Sequence, residues 1–285
     1  MIISVVGATA SGKTAEAIRL AKELNGEIIN CDRFQLYKDL KVLSAYPTKE
    51  ELGEANHRLF GILNNNENTT PLEWAKLATM EIDEVKQAGH QPIVVGGTGM
   101  YLNVLVNGIS PLPDVPQSIR DAGAELSKGD FKSMCRIVYE ADPDLGILPE
   151  QHHQIVRAWE ILTVSGKSIR YFFEQPKLKF VNDTWKFVYL NPPREELYNK
   201  INRRFDLMLE NGAIDEVKEL LIKFRGIPHN EIFTKYHIFK TIGAKEIVLY
   251  LDGKILYDEM RNTCKQFSRN YAKRQVTWFN KYIKL

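Results

Sequence analysis

Apolar and polar residues alternate along this chain in two rhythms. Short apolar runs at Ile2 to Val6, Glu27 to Asn30, Pro92 to Val95 and Trp185 to Leu190 predict strands buried on both faces of a parallel sheet. Between the first two, Ala17, Leu20, Ala21 and Leu24 recur at i, i+3, i+4 and i+7, which predicts a helix from Lys13 to about Leu24. Thr70-Pro71-Leu72-Glu73 combines a capping threonine, proline at the first helical position and glutamate three residues after the cap. It predicts a second helix, running to about Ala88 and stopping at Gly89. Residues 33–66 follow neither rhythm.

Prolines at 111, 113 and 116 mark a change of pattern. From there to about Leu178 the periodicity is helical, with no strand. After the Trp185 strand and Pro192-Pro193, helices are predicted at about Arg194 to Asn211, Ala213 to Phe224 and Asp258 to Tyr282. The expected fold class is α/β: a P-loop NTPase-like parallel sheet with helices on both faces, interrupted by a helical insertion. Expected boundaries are residues 1–112 and 180–285 for the core and 113–179 for the insertion.

With 285 residues, 44% hydrophobic and 26% charged, a sizeable core is available and wholesale disorder is excluded. Cys31, Cys135 and Cys264 have no paired spacing, against a disulfide framework or zinc site. The apolar N-terminal run is too short for a signal peptide, and no stretch reaches membrane-spanning length. A cytoplasmic protein is expected, with no membrane association and no feature demanding an obligate protein partner. Net charge is +2, yet from Lys200 onward 17 Lys and Arg face 10 Asp and Glu. A basic C-terminal portion hints at a polyanionic partner, although a solvated helix face gives the same count.

The sharpest local signal is Gly7-Ala8-Thr9-Ala10-Ser11-Gly12-Lys13-Thr14. It matches the P-loop pattern and has the required context, strand before and helix after. Backbone N–H groups turned inward, together with the helix N-terminus, hold phosphate. Lys13 adds a cation, and the Thr14 hydroxyl is a Mg²⁺ ligand candidate. The pattern specifies phosphate, not which phosphate. NTP hydrolases place an acid at the end of a second apolar strand, but here Pro92 to Val95 ends in Gly96-Gly97-Thr98. The strand that does end in an acid leads to Asp32, on the sheet edge where open α/β folds bind ligands. Asp32 is thus a general base, a metal-shell ligand or a turn-capping residue. Thr98 reaches the same edge, as a substrate contact or as part of a turn whose glycines permit close packing.

Arg203 and Arg204 adjoin in one helix; one is a candidate diphosphate clamp, against solvent exposure for either. Arg261, Lys265, Arg269 and Lys273 follow at i+4 spacing with Arg274 and Trp278 nearby, a stripe suited to a phosphate backbone or to water. His152 and His153 form no metal-ligand spacing and read as surface residues.

The P-loop, Asp32 with Gln35 and Tyr37, and Val95-Gly96-Gly97-Thr98-Gly99-Met100-Tyr101 resemble the tRNA dimethylallyltransferases. So do Pro111-Leu112-Pro113, Asp142-Pro143, Arg157-Ala158-Trp159-Glu160, Ser165-Gly166-Lys167, Arg204-Phe205, Asn211-Gly212, Ile242-Gly243 and Tyr271-Ala272-Lys273-Arg274-Gln275 before Thr277-Trp278. The matches run in order through nearly the whole chain. The resemblance implies transfer of a dimethylallyl group from dimethylallyl diphosphate to the exocyclic amine of the adenine 3′-adjacent to the tRNA anticodon. By position it implies Asp32 as general base, Thr98 near the reacting groups, and Arg204 on the diphosphate. Gly7 to Thr14 would hold that diphosphate with Mg²⁺. It implies tRNA contacts at Arg33, Gln35, Arg157, Lys265, Arg269, Lys273 and Arg274, and an insertion that binds the anticodon stem-loop. The chain departs from the family pattern at Arg33, where serine is common, at Leu43-Ser44-Ala45-Tyr46-Pro47 and at Glu150 to Gln154.

Two other enzyme classes share parts of this pattern. A P-loop small-molecule kinase would use the insertion as a lid, with Arg120, Arg136 and Arg157 on phosphate. An adenine-nucleotide prenyltransferase would need neither the insertion nor the basic C-terminal helix. A non-enzymatic RNA-binding module would not need a diphosphate loop.

Overall fold

The computed structural model describes residues 1–282. The chain begins β1 (Ile2–Gly7), α1 (Lys13–Leu24), β2 (Gly26–Asn30), α2 (Lys49–Glu54), β3 (His57–Arg58), α3 (Pro71–Gln87), β4 (Gln91–Gly96) and α4 (Gly99–Asn107). Next come α5 (Gln117–Gly129), α6 (Phe131–Ala141), α7 (His152–Ser165) and α8 (Ile169–Glu174). The chain then runs through β5 (Trp185–Leu190), α9 (Arg194–Glu210), α10 (Ala213–Lys223), α11 (His229–Lys235), α12 (Ala244–Leu251) and α13 (Tyr257–Tyr282). Each strand and helix expected from the periodicity is present in the core. Those not foreseen are short: β3 has two residues, α2 has six behind a capping box at Thr48 and Glu51, and α11, α12 and α4 have seven, eight and nine.

The five strands pair in parallel in the order β3-β2-β4-β1-β5. Side chains alternate across a strand. Ile3 and Val5 of β1, Ile28 of β2, and Ile93 and Val95 of β4 therefore share one face, where they pack on Ala17, Ile18 and Ala21 of α1. α3 packs on β2 and β4, and α13 on β1. The Trp74 indole of α3 is fully buried and donates to the Asn30 carbonyl at 3.0 Å. Because β4 lies between β1 and β2, the loops leaving these three strands emerge side by side on one edge. They are the P-loop, the Asp32 turn and the Gly97-Thr98 turn.

Contacts divide the chain into two compact units. One holds Met1–Val106 and the chain from Phe180 on; the other is Asn107–Lys179. Besides the sheet, the first contains a helical core in which Phe205, Val217, Leu220, Phe239, Ile247 and Met260 are buried together. In the second, α5, α6 and α7 close around Met134, Val138, Ile155 and Ile161. Its two ends are joined by an antiparallel bridge between Ile109 and Leu178.

Candidate active site

The P-loop folds tightly on itself. Ala10 and Gly12 take left-handed backbone angles (φ 63° and 94°), and the Ser11 amide donates to the Ala8 carbonyl at 3.2 Å. Lys13 Nζ donates to the same carbonyl at 2.7 Å. Thr9 is held from two distant helices: Arg204 of α9 donates to its hydroxyl, and Gln275 Oε1 of α13 accepts its amide at 2.8 Å. Residues 9–14 form one wall of a cleft of about 780 Å³ that also includes Asp32, Arg204 and Gln275.

Asp32 turns its carboxylate toward this loop. Oδ1 accepts the Phe34 amide at 3.0 Å, and the Asp32 amide donates to Asn30 Oδ1 at 2.7 Å. The capping role and the site role thus fall on one residue. Burial pushes the Asp32 carboxyl above the usual aspartate range, opposed by the Phe34 amide and the charges of Lys13 and Arg204. Burial also lowers Lys13 to about 8, with Asp32 opposing the shift and Arg204 adding to it. Arg204 is likewise lowered by burial and supported by Asp32. One carboxylate between two cations makes a desolvated, electropositive pocket, suited to an anion with several oxygens.

The third loop is pinned by α13. Gln275 Nε2 donates to the Gly97 carbonyl at 2.9 Å. A Cβ on Gly97 would lie 2.2 Å from that nitrogen, and one on Gly99 2.4 Å from the Trp278 ring. These glycines therefore serve close packing. Thr98 is fastened to the Asp32 turn: its hydroxyl accepts the Arg33 amide at 3.2 Å, and its own amide donates to the Cys31 carbonyl at 3.3 Å. Tyr271 lines a second, smaller cavity of about 60 Å³ with Asp32, Arg204, Leu43, Phe205 and Met208. Its mixed lining suits a short apolar group joined to an anion.

A family model described as IPP transferase matches residues 35–282. The chain is 37% identical over 287 residues to the tRNA dimethylallyltransferase of Rickettsia felis, covering 99% of this chain and 90% of that protein. The chain belongs to the IPP transferase family. It is also 34% identical over 281 residues to the tRNA dimethylallyltransferase of a Caulobacter species, covering 98% and 89%. Among solved structures, the tRNA isopentenylpyrophosphate transferase of Bacillus halodurans superposes with a TM-score of 0.70 at 33% identity, over 98% of this chain and 86% of that one. A eukaryotic dimethylallyltransferase acting on tRNA superposes at 0.80 with 28% identity, over 98% and 69%. The parallel-sheet core with flanking helices expected from sequence is the fold of this family.

Within this IPP transferase, Asp32, Arg204 and the P-loop line one cleft, with the Thr98 hydroxyl bonded to the Arg33 amide beside Asp32, whereas the predicted RNA contacts scatter. Gln35 Nε2 donates to the carbonyls of Ser44 and Ala45, at 3.2 and 2.7 Å, and so shapes its own loop. Lys265, with Arg261, grips Asp206 of α9 at 2.7 Å, so part of the stripe's charge is met within the chain. Arg269 is bonded to Asn202 and Gln266. Lys273 and Arg274 remain exposed, and Arg157, in the second unit, pairs with Glu160 at 2.8 Å. Arg33 is half-buried, its guanidinium near the Phe34 ring and its Nε enclosed without a partner.

Tyr271 and Gln275 belong to a motif that carries the family resemblance, but no role was assigned to either beside the adjacent basic stripe. A signal was present: Gln275 falls among Cys264, Ala272 and Phe279 on the buried face of α13, where a polar side chain needs a partner. Among the described residues no three His, Cys, Asp or Glu gather as a metal cage. Mg²⁺ commonly takes one or two protein oxygens plus phosphate oxygens. The Thr14 hydroxyl and Asp32 carboxylate share the cleft, and that donor set fits a phosphate-borne Mg²⁺. Likewise, no helix among the described residues is long and apolar enough to cross a membrane.

Proposed function

We propose that this chain transfers a dimethylallyl group from dimethylallyl diphosphate to the exocyclic amine of the adenine 3′-adjacent to the tRNA anticodon, releasing diphosphate. The observation that carries the assignment of roles is the placement of the Asp32 carboxylate against Lys13 and Arg204 at the mouth of the P-loop. The P-loop amides, Lys13 and Arg204 bind the diphosphate and stabilise the charge that grows as its allylic C–O bond breaks. The adenine nitrogen bonds to the allylic carbon and gives its proton to Asp32, so the diphosphate departs with the bonding pair. Thr98 supplies a hydroxyl beside the reacting groups. The target base is stacked in the anticodon loop, and extruding it costs a few kcal/mol. In this family Mg²⁺ accompanies the prenyl diphosphate; here Thr14 would hold it together with the phosphate oxygens, and it would neutralise phosphate charge.

In this reading the unit Asn107–Lys179 binds the anticodon stem, with Arg157 on that unit. Lys273, Arg274 and Arg33 contact RNA, while Gln35, Lys265 and Arg269 serve through the structure they hold. The setting is cytoplasmic. The test incubates the chain with labelled dimethylallyl diphosphate and Mg²⁺, together with either tRNA or AMP. Label in tRNA supports the proposal; label in AMP alone, or in neither, overturns it.

A further inference from the structure

The small cavity beside Asp32 has two kinds of wall. One is polar, where Arg204 reaches the Thr9 hydroxyl of the P-loop. The other is apolar, built by Leu43, Ile201, Phe205, Met208 and Ile242. Leu43 and Phe205 close this apolar side over Gly243: a Cβ there would lie 3.2 Å from Leu43 Cδ1 and 3.3 Å from Phe205 Cε2. Gly243 has a left-handed backbone (φ 96°), and its missing side chain leaves room for the other two to meet. Leu43 is only 5% exposed and packs into the helical core with Phe205 and Cys264. Its backbone is held as firmly as its side chain. Glu216 of α10 accepts the Val42 and Leu43 amides at 3.1 Å each, while Gln35 donates to the carbonyls of Ser44 and Ala45. A wall fastened on both sides does not yield to a longer ligand.

We propose that Leu43 is a specificity-determining residue that limits the transferred group to one isoprene unit, so that dimethylallyl diphosphate is used and geranyl diphosphate is rejected. This deepens the transfer reading and rests on it. With the diphosphate on the P-loop, Lys13 and Arg204, the allylic chain leads from the polar wall toward the apolar one. A water-sized group needs roughly 10–15 Å³ of such space, so a cavity of about 60 Å³ takes about four to six of them. That is room for the carbons of one isoprene unit and not of two. The Leu43 side chain fills the place into which the second unit would extend, at a position where the chain departs from the family pattern. Truncating it opens the cavity toward Gly243 and the core around Cys264.

The test compares dimethylallyl and geranyl diphosphate as donors to tRNA, by kcat/KM, and as ligands, by calorimetric Kd, with inorganic diphosphate as the reference ligand. The wild-type chain should favour dimethylallyl diphosphate by at least about a hundredfold in kcat/KM, since a misfit of one methylene already costs roughly 10–200-fold. Leu43→Ala should shrink that preference at least about tenfold by gaining use of geranyl diphosphate, with Kd for inorganic diphosphate within about twofold. Leu43→Val, which removes one methylene, should fall between the two and serves if the Ala protein does not fold. A preference unchanged in the folded variants, a preference lost only through poorer use of dimethylallyl diphosphate, or a wild-type chain that uses both donors equally would overturn the inference while leaving the transfer reading intact. Absence of label in tRNA from either donor would sink the transfer reading. The Kd ratio of the two donors, and its change in the variants, would then decide the cavity's limit alone.

Discussion

The side-chain amide of Gln275 accepts the backbone N–H of Thr9 at 2.8 Å across 266 residues of sequence. Its other end donates to Gly97, so one side chain from the last helix sets the spacing between the phosphate loop and the loop bearing Thr98. Gln275 is only 5% exposed. Replacing it with alanine leaves both backbone groups without this partner, at a cost of about 1–3 kcal/mol each where water cannot follow.

Gln275→Ala is therefore expected to raise KM for dimethylallyl diphosphate about tenfold and to lower Tm. Gln275→Glu should restore the Thr9 bond but not the Gly97 bond, because a carboxylate has no proton to donate. Steady-state kinetics with thermal melts on both variants test this. Unchanged donor KM in Gln275→Ala would remove the spacing role.

Asp32→Asn should lower turnover on tRNA by roughly 10²–10⁴, the scale of losing a general base. Donor binding should persist below about pH 7, since the P-loop, Lys13 and Arg204 all remain. The comparison needs rapid-quench turnover and equilibrium binding of the diphosphate. A variant that binds donor poorly yet turns over normally when saturated would assign Asp32 to binding instead.

The sheet, the P-loop and Asp32 were legible in the sequence because each is local: a strand's apolar run, a loop's spacing and an acid at a strand end. Arg204 was separable from Arg203 only through its place in the ordered family motifs. In the fold, Arg204 reaches Thr9, whereas Arg203 is exposed. What stayed hidden depends on packing between distant segments. Periodicity located the cationic face of α13 but could not reveal that Asp206 on another helix neutralises part of it. Nor could it reveal that Gly97 and Gly99 make room for Gln275 and Trp278 rather than for substrate.

The pH profile should report the electropositive pocket. In the free chain Lys13 is lowered to about 8, so its protonated form, the one that binds diphosphate, is present below that pH and lost above it. Asp32 must be ionised to accept a proton, and its carboxyl is raised, so activity should fall on acidification from a point above the ordinary aspartate range. The log of kcat/KM against pH should form a bell with its basic limb near pH 8. Bound diphosphate adds negative charge and should move that limb upward in kcat. In Lys13→Arg the basic limb should disappear, since guanidinium does not titrate there. Persistence of the limb at the same pH would assign it to another group.

Arg204 is tied both to Thr9 and, by charge, to Asp32. Arg204→Lys keeps a charge but loses the planar fork that suits paired phosphate oxygens, and should raise the donor Kd roughly tenfold, equivalent to the ~1.4 kcal/mol of one charge-assisted hydrogen bond. Arg204→Ala should weaken binding further and lower kcat, because charge also develops on the leaving diphosphate. Equal donor affinity in wild type and Arg204→Lys, measured by calorimetry, would show that the fork is not used.

The basic stripe of α13 separates into two kinds of residue, and salt dependence distinguishes them. Each lysine that neutralises an RNA phosphate adds roughly 0.7–0.9 to the slope of log binding constant against log salt. Lys273 is exposed, so Lys273→Ala should reduce the slope for tRNA by about that amount and weaken binding most at low salt. Lys265 is already paired with Asp206 at 2.7 Å, its side chain only 12% exposed. Removing it leaves Asp206 to Arg261 alone, so the expected effect of Lys265→Ala is a lower Tm with the slope unchanged. Filter-binding titrations across a series of salt concentrations, alongside melting curves, read both quantities. If Lys265→Ala flattened the salt dependence as much as Lys273→Ala, the Asp206 pair would have to open when RNA binds. The stripe would then act as a single surface.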